Sequence, residues 1–315
     1  MQSFKALVAL AVFALGMQTA AAQVSSGAQG SRTQGSSPQG FGPQGAEGEP
    51  HREQQWLVPS PDPDVAAHAV LFRPAGDGPF RLAVIAHASV QNVLRRAQMP
   101  QPEYRALAAW LVARGFAVLV PERPGHGATG GKYLEDQGGC DEADYSRSGH
   151  ATSAEIAAAL NYLRGQSFIR PDGAAVLGHS AGGWGTLALT AAEVPGVSVI
   201  IAFAPGRGGH ANDFPNQVCA PHSLISAAAE FGKGVHLPVT WLVAANDSYF
   251  SPDLSRKLAD AFRSGGAKVD FHVLAAYGGE GHWLPETESG VKIAGAELDR
   301  ALKAPAPTAA TAKKR

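Results

Sequence analysis

Short apolar runs and helical stretches take turns along the middle of this chain, and that alternation limits the fold more than any other feature. Residues 82–86, 116–120, 173–177, 197–203, 239–244 and 269–274 are brief, mostly apolar runs bounded by turn residues. Helical spacing lies between them. In residues 104–114, Leu107, Ala108, Leu111 and Val112 share a face, and Gly115 follows as a helix-ending glycine. In residues 152–163 the face is Ile156, Ala159, Leu160 and Leu163. Residues 182–192 read as a small-residue helix and 253–262 as another. Residues 286–302 put Val291, Ala294, Leu298 and Leu302 on one side, with acids in the first turn where the helix dipole favours them. Apolar strands of this kind must be covered on both faces. The pattern therefore predicts an α/β fold, a mostly parallel central sheet with helices on either side. Ligands in such sheets bind beyond the carboxyl ends of the strands, so functional residues should sit just after each run.

The ends stand apart from this pattern. Residues 1–22 read as a signal peptide: Lys5 begins it, residues 6–16 are apolar but shorter than the roughly 20 residues of a membrane span, and Ala20-Ala21-Ala22 offers a cleavage site. Residues 23–50 repeat Gln-Gly at 29–30, 34–35, 39–40 and 44–45. That spacing is far below the roughly 20 to 50 residues of a solenoid unit and offers no apolar face, so the segment reads as a flexible tether. Residues 305–315 read as a tail. One domain, residues 51–304, is left. The expectation is an exported protein, periplasmic or extracellular, with no stable membrane span.

Composition closes other routes. The formal net charge is −1, too balanced for a phosphate-backbone footprint, so no nucleic-acid partner is expected. Two cysteines are too few for a disulfide framework or a Cys-rich zinc module. Gly125, Gly127 and Gly130 spell G-x-G-x-x-G, but polar, Gly-rich residues 132–140 follow instead of an apolar helix, so no dinucleotide cofactor is expected. His87, His126, His150, His179, His210 and His222 fall near the expected site without metal-ligand spacing, and no metal is expected.

Gly178-His179-Ser180-Ala181-Gly182 matches G-x-S-x-G between a strand and a small-residue helix. This is the setting in which a sharp turn lifts a serine clear of the sheet. The flanking positions must be glycine because a Cβ would meet the neighbouring strand and helix. The helix start aims N–H groups and a positive dipole end at the same point. Serine is a weak nucleophile and needs a base, which needs an orienting acid. Asp247 follows the 239–244 run and His282 the 269–274 run, giving the order Ser, Asp, His expected of this topology. Glu122, also after a strand, is an alternative acid.

In these residues the chain resembles the α/β-hydrolase fold over roughly residues 71–302, and within it bacterial, secreted dienelactone-hydrolase-like and esterase-like members. Dienelactone hydrolases typically carry Cys where Ser180 stands, so an esterase-type acyl-enzyme is implied. His87-Ala88-Ser89 occupies the place of the family's His-Gly pair and oxyanion residue, with Ala88 replacing Gly. The backbone N–H groups of Ser89 and Ala181 are the expected oxyanion donors. Arg123-Pro124-Gly125-His126-Gly127 resembles the family's Arg-Gly-His-Gly loop. Export favours a disulfide, and Cys140 and Cys219 both follow strands on the same face, so they are expected to pair across the mouth of the site. Trp184, Tyr249, Phe250 and Trp283 are the expected pocket residues, Arg207 is a lone candidate for an anionic group, and residues 206–238 leave room for a small lid at most.

The expected activity is hydrolysis of a small, neutral carboxylic ester. A peptidase or amidase with the same triad, an acyltransferase, and a non-catalytic hydrolase-fold binding protein are the competing readings. The oligomeric state is not legible.

Overall fold

The computed structural model describes residues 40–303 except 193 and 236. The expected signal peptide, residues 23–39 of the tether and the tail at 305–315 lie outside the described residues. Nine strands form one sheet: β1 (Gly42–Pro43), β2 (Gln54–Pro59), β3 (Ala66–Phe72), β4 (Arg81–Ala86), β5 (Phe116–Pro121), β6 (Ala174–His179), β7 (Val197–Phe203), β8 (Val239–Ala244) and β9 (Val269–Leu274). Their order is β1-β2-β3-β5-β4-β6-β7-β8-β9. The first three strands are antiparallel, β3 joins β5 antiparallel, and the remaining pairs are parallel.

Helices cover both faces. In chain order they are α1 (Val93–Ala97), α2 (Arg105–Val112), α3 (Tyr145–Arg164), α4 (Ala181–Ala191), α5 (Pro221–Phe231), α6 (Pro252–Ser264) and α7 (Glu288–Lys303). Leu107, Leu111, Val291 and Leu298 bring α2 and α7 onto one side, against Val118 and Leu177. The other side is packed by α3, α4, α5 and α6 through Ile156, Leu187, Leu224 and Leu258. The strands β5, β6 and β8 are buried at every position. Burial on both faces is why their sequences are unbroken apolar runs rather than alternating ones.

Two expectations change. The tether does not run to Pro50, because β1 pairs with β2 and the Gln44 N–H donates to the Gln55 carbonyl at 2.8 Å. The Gln44 side chain also donates to the carbonyls of Gly40 and Gly42, so a residue read as linker satisfies backbone at the sheet edge. Second, residues 206–238 are not all insertion. Leu224, Ala227, Ala228 and Phe231 of α5 are buried in the layer beside α3 and α6, leaving only the stretch before Pro221 to face the carboxyl ends of the strands.

Candidate active site

Ser180 sits where β6 turns into α4, with φ 55° and ψ −118°. A non-glycine residue in that region is strained, and such strain persists only where the surroundings enforce it. Here they do: a Cβ at Gly182 would fall on the Ala86 carbonyl, and one at Gly178 would meet Thr186 and α4 backbone. The Ser180 N–H donates to the Phe203 carbonyl at 2.9 Å. The hydroxyl opens into a cavity of about 310 Å³ that His282 also lines.

His282 is oriented by Asp247. Its Nδ1 lies 2.9 Å from Asp247 Oδ2. The other carboxylate oxygen, Oδ1, accepts the N–H groups of Tyr249 at 2.9 Å and Phe250 at 2.8 Å. Both side chains are buried. With all three of these contacts directed at the one carboxylate, the His282 proton sits on Nδ1 and Nε2 is left as the acceptor. Burial lowers the His282 pKa and the Asp247 contact only partly opposes it, so the ring is neutral at neutral pH. Glu280, which sequence reasoning passed over, accepts the N–H groups of His282 at 3.0 Å and Ser248 at 3.1 Å. The Tyr249 ring is stacked between His282, 4.3 Å away, and His210, 3.6 Å away. Glu122 is not a partner of His282. It is fully buried and accepts the Thr129 N–H at 2.6 Å.

Ser89 and Ala181 both line the cavity. Ala181 is the first residue of α4, so its N–H has no intrahelical acceptor. The Ser89 N–H donates to no other described residue, whereas the neighbouring Ala88 N–H is taken by the Tyr104 hydroxyl at 3.0 Å. The Ser89 hydroxyl is 2.8 Å from His126 Nε2. His126 Nδ1 faces the Arg123 carbonyl at 3.0 Å and must donate to it, so Nε2 accepts from Ser89.

A second chain of bonds ties three loops together. The Tyr104 hydroxyl, holding Ala88, meets His179 Nδ1 at 2.8 Å. His179 Nε2 meets the His282 carbonyl at 2.8 Å, to which it can only donate. Nδ1 is then the acceptor from Tyr104. Tyr104 and His179 thus connect the Ala88 loop, the Ser180 turn and the His282 loop. Tyr104 itself is buried with φ 47°. The only sequence signal was that His179 occupies the second position of G-x-S-x-G.

Of the expected pocket residues, Tyr249, Phe250 and Trp283 line the cavity. Trp184 does not. It is wholly buried, its indole N–H donates to the Tyr145 carbonyl at 2.8 Å, and its ring packs on Phe231. Arg207 lines the cavity from beneath, donating to Tyr133 at 2.9 Å, to Thr152 at 2.8 Å and to buried Glu135, which also binds Arg123. Cys140 and Cys219 are bridged. The bridge joins the segment before α3 to the loop whose residues 206–213 form one wall. His87 is buried and accepts the Arg123 N–H at 3.1 Å, His210 lines the cavity, and His150 and His222 are exposed. Among the described residues no group of three or more His, Cys, Asp or Glu side chains could hold a metal ion. No described helix is long and apolar enough to cross a membrane.

The model of the prolyl oligopeptidase family matches residues 102–205. No curated protein sequence matches significantly. Solved structures match over most of the chain. A cold-adapted esterase from an Arctic intertidal metagenomic library is 20% identical, with a TM-score of 0.54, covering 84% of this chain and 100% of its own. An esterase from Pyrococcus furiosus is 14% identical at a TM-score of 0.52, covering 79% of this chain and 93% of its own. A puromycin-hydrolysing peptidase from Mycobacterium tuberculosis is 17% identical at a TM-score of 0.56; the match covers 82% of this chain and 40% of that larger one. At these identities the likeness is one of fold, and the fold is that of the α/β-hydrolases.

Proposed function

With that fold as the frame, we propose that the protein is an exported serine hydrolase that cleaves carboxylic esters through an acyl-enzyme. One observation carries the reading: a serine on a strained strand-to-helix turn opens into the same cavity as a neutral, buried histidine that a carboxylate holds by Nδ1. His282 Nε2 takes the Ser180 proton as Oγ attacks the ester carbonyl. Asp247 stabilises the imidazolium that forms. The N–H groups of Ser89 and Ala181 receive the oxyanion, an arrangement in which losing one donor commonly costs about 3 to 4 kcal/mol of barrier. The imidazolium protonates the departing alcohol, and the C–O bond breaks. A water then attacks the acyl-enzyme with the same base, releasing the acid and restoring Ser180.

Export rests on residues 1–22 and is supported by the Cys140–Cys219 bridge, since disulfides persist in oxidising compartments. Peptide hydrolysis is the second reading, favoured by the match of residues 102–205 to the prolyl oligopeptidase family. The test is turnover of p-nitrophenyl acetate against an acyl p-nitroanilide, together with labelling by a fluorophosphonate. Ser180→Ala should abolish labelling and lower ester kcat at least about 1,000-fold, within the range seen when a triad member is removed. Retained ester turnover in Ser180→Ala overturns the assignment, and faster anilide turnover moves it to the peptidase.

A further inference from the structure

The cavity beside Ser180 is more polar than its neighbours in sequence suggest. Gln137 is the telling residue. It is only 8% exposed, yet neither end of its amide bonds to another described residue, and it lines the cavity. Its amide nitrogen and oxygen are not sealed from solvent: they open into the cavity, where water or a ligand group bonds them. Gln91, Arg95, Asn212 and Asp213, all exposed, line the same space, and their side chains make no hydrogen bond to another described residue. Gln91 and Arg95 follow β4, Gln137 follows β5, and Asn212 and Asp213 follow β7, so the polar groups reach the cavity from three separate segments.

Their chemistry is selective. Three of the five are carboxamides, each offering two donors and an acceptor side by side. A hydroxyl is both donor and acceptor and can satisfy either end of an amide. An aliphatic chain satisfies none of them and would strip of water those it covered. Trp283, 36% exposed, adds an aromatic surface at the cavity wall, suited to the C–H face of a ring. The volume of about 310 Å³ is at the small end of ligand sites, enough for one compact polar group next to the reacting carbonyl.

We propose that the ester cleaved here is carried on a sugar: the alcohol that leaves is a hydroxyl of a polyhydroxylated ring, held by Gln137, Asn212 and Gln91, with a small acyl group on Ser180. The inference rests on the esterase reading above. The reaction is hydrolysis, with water supplying OH to the acyl carbon and H to the sugar oxygen as the ester C–O bond breaks.

The deciding comparison uses two esters with leaving groups of similar ring size, a mono-acetylated methyl xylopyranoside and cyclohexyl acetate. A site built to bond hydroxyls discriminates strongly against an analogue lacking them. The sugar ester should exceed cyclohexyl acetate in kcat/KM by about tenfold or more, mainly through KM. Gln137→Ala and, separately, the exposed Asn212→Ala should each shrink that ratio severalfold. The second variant keeps the test valid if the first disturbs folding. Equal or greater turnover of cyclohexyl acetate, or a ratio unmoved in both variants, overturns the sugar assignment while leaving the esterase intact. Failure to turn over p-nitrophenyl acetate overturns both. Preference for a dipeptide p-nitroanilide over either ester replaces the sugar with a peptide.

Discussion

Tyr104 shows how much of this site depends on groups that never reach a substrate. One hydroxyl accepts from Ala88, next to a proposed oxyanion donor, and donates to His179, which in turn holds the backbone of His282. Tyr104→Phe keeps the ring and its packing but leaves a buried N–H and a buried imidazole nitrogen unmatched. Misplacing catalytic groups by a fraction of an ångström is felt in the chemical step more than in binding. The expected result is a fall of about tenfold in ester kcat with KM changed less than twofold. A purely structural role predicts lowered Tm with kcat intact, so measuring both on the same preparation separates the two. His179 could be picked from the sequence as part of a motif. Tyr104 could not, because it lies 75 residues from its partner and its left-handed backbone has no sequence signature.

The elements divide by how fully they are buried. The inner strands β4 to β8 were legible as apolar runs, and β7, β8 and β9 end where the pattern ends. The antiparallel pair β2 and β3 was not. Gln54, Gln55 and His68 interrupt these strands, and Gln54 is buried by bonding to Trp56 rather than by being apolar. The helix α5 was hidden because small residues and Ser226 blur its apolar stripe. The cavity wall was hidden for the opposite reason: Gln137 and residues 206–210 lie in loops with no period at all, and Ala211–Asp213 is a single 3₁₀ turn, too short to show one. That wall is tied down by the Cys140–Cys219 bridge, which spans 79 residues. Chain entropy alone assigns a loop of that length about 4.5 kcal/mol, an upper figure for the stabilisation. Cys140→Ser with Cys219→Ser should therefore lower Tm by several degrees. Because the freed loop lines the cavity, KM for the preferred ester should rise severalfold. An unchanged KM beside a lowered Tm would make the bridge a staple for the fold and not for the site.

At the scale of the whole molecule, stability against pH is set by charges sealed beneath the cavity. Glu155, in α3, is 4% exposed and has no hydrogen-bond partner; the nearest cation, Arg123, lies 3.4 Å away and is already engaged by Glu135. Burial raises its pKa from the ordinary 4.5 to about 8, the Arg123 charge opposing the rise. Glu155 is therefore protonated in the folded protein at neutral pH and ionised in the unfolded chain. The unfolded state holds fewer protons, so stability is greatest below pH 4.5 as far as this group is concerned and falls as pH rises towards 8. At about 1.4 kcal/mol per pH unit, the loss by pH 7 is about 3 kcal/mol. His87 works the other way: its pKa is held well below 6.5 by burial and by Arg123, so its contribution is lost as pH falls below that value. Glu155→Gln keeps shape and neutrality but cannot ionise in either state, which removes the alkaline slope alone. Thermal melts from pH 5 to pH 8 should show the variant gaining about 10 °C over the parent at pH 8 and about 2 °C at pH 5, with the acid limb unchanged. Parallel melting curves across that range would mean that Glu155 is ionised in the folded protein, paired with Arg123 after all.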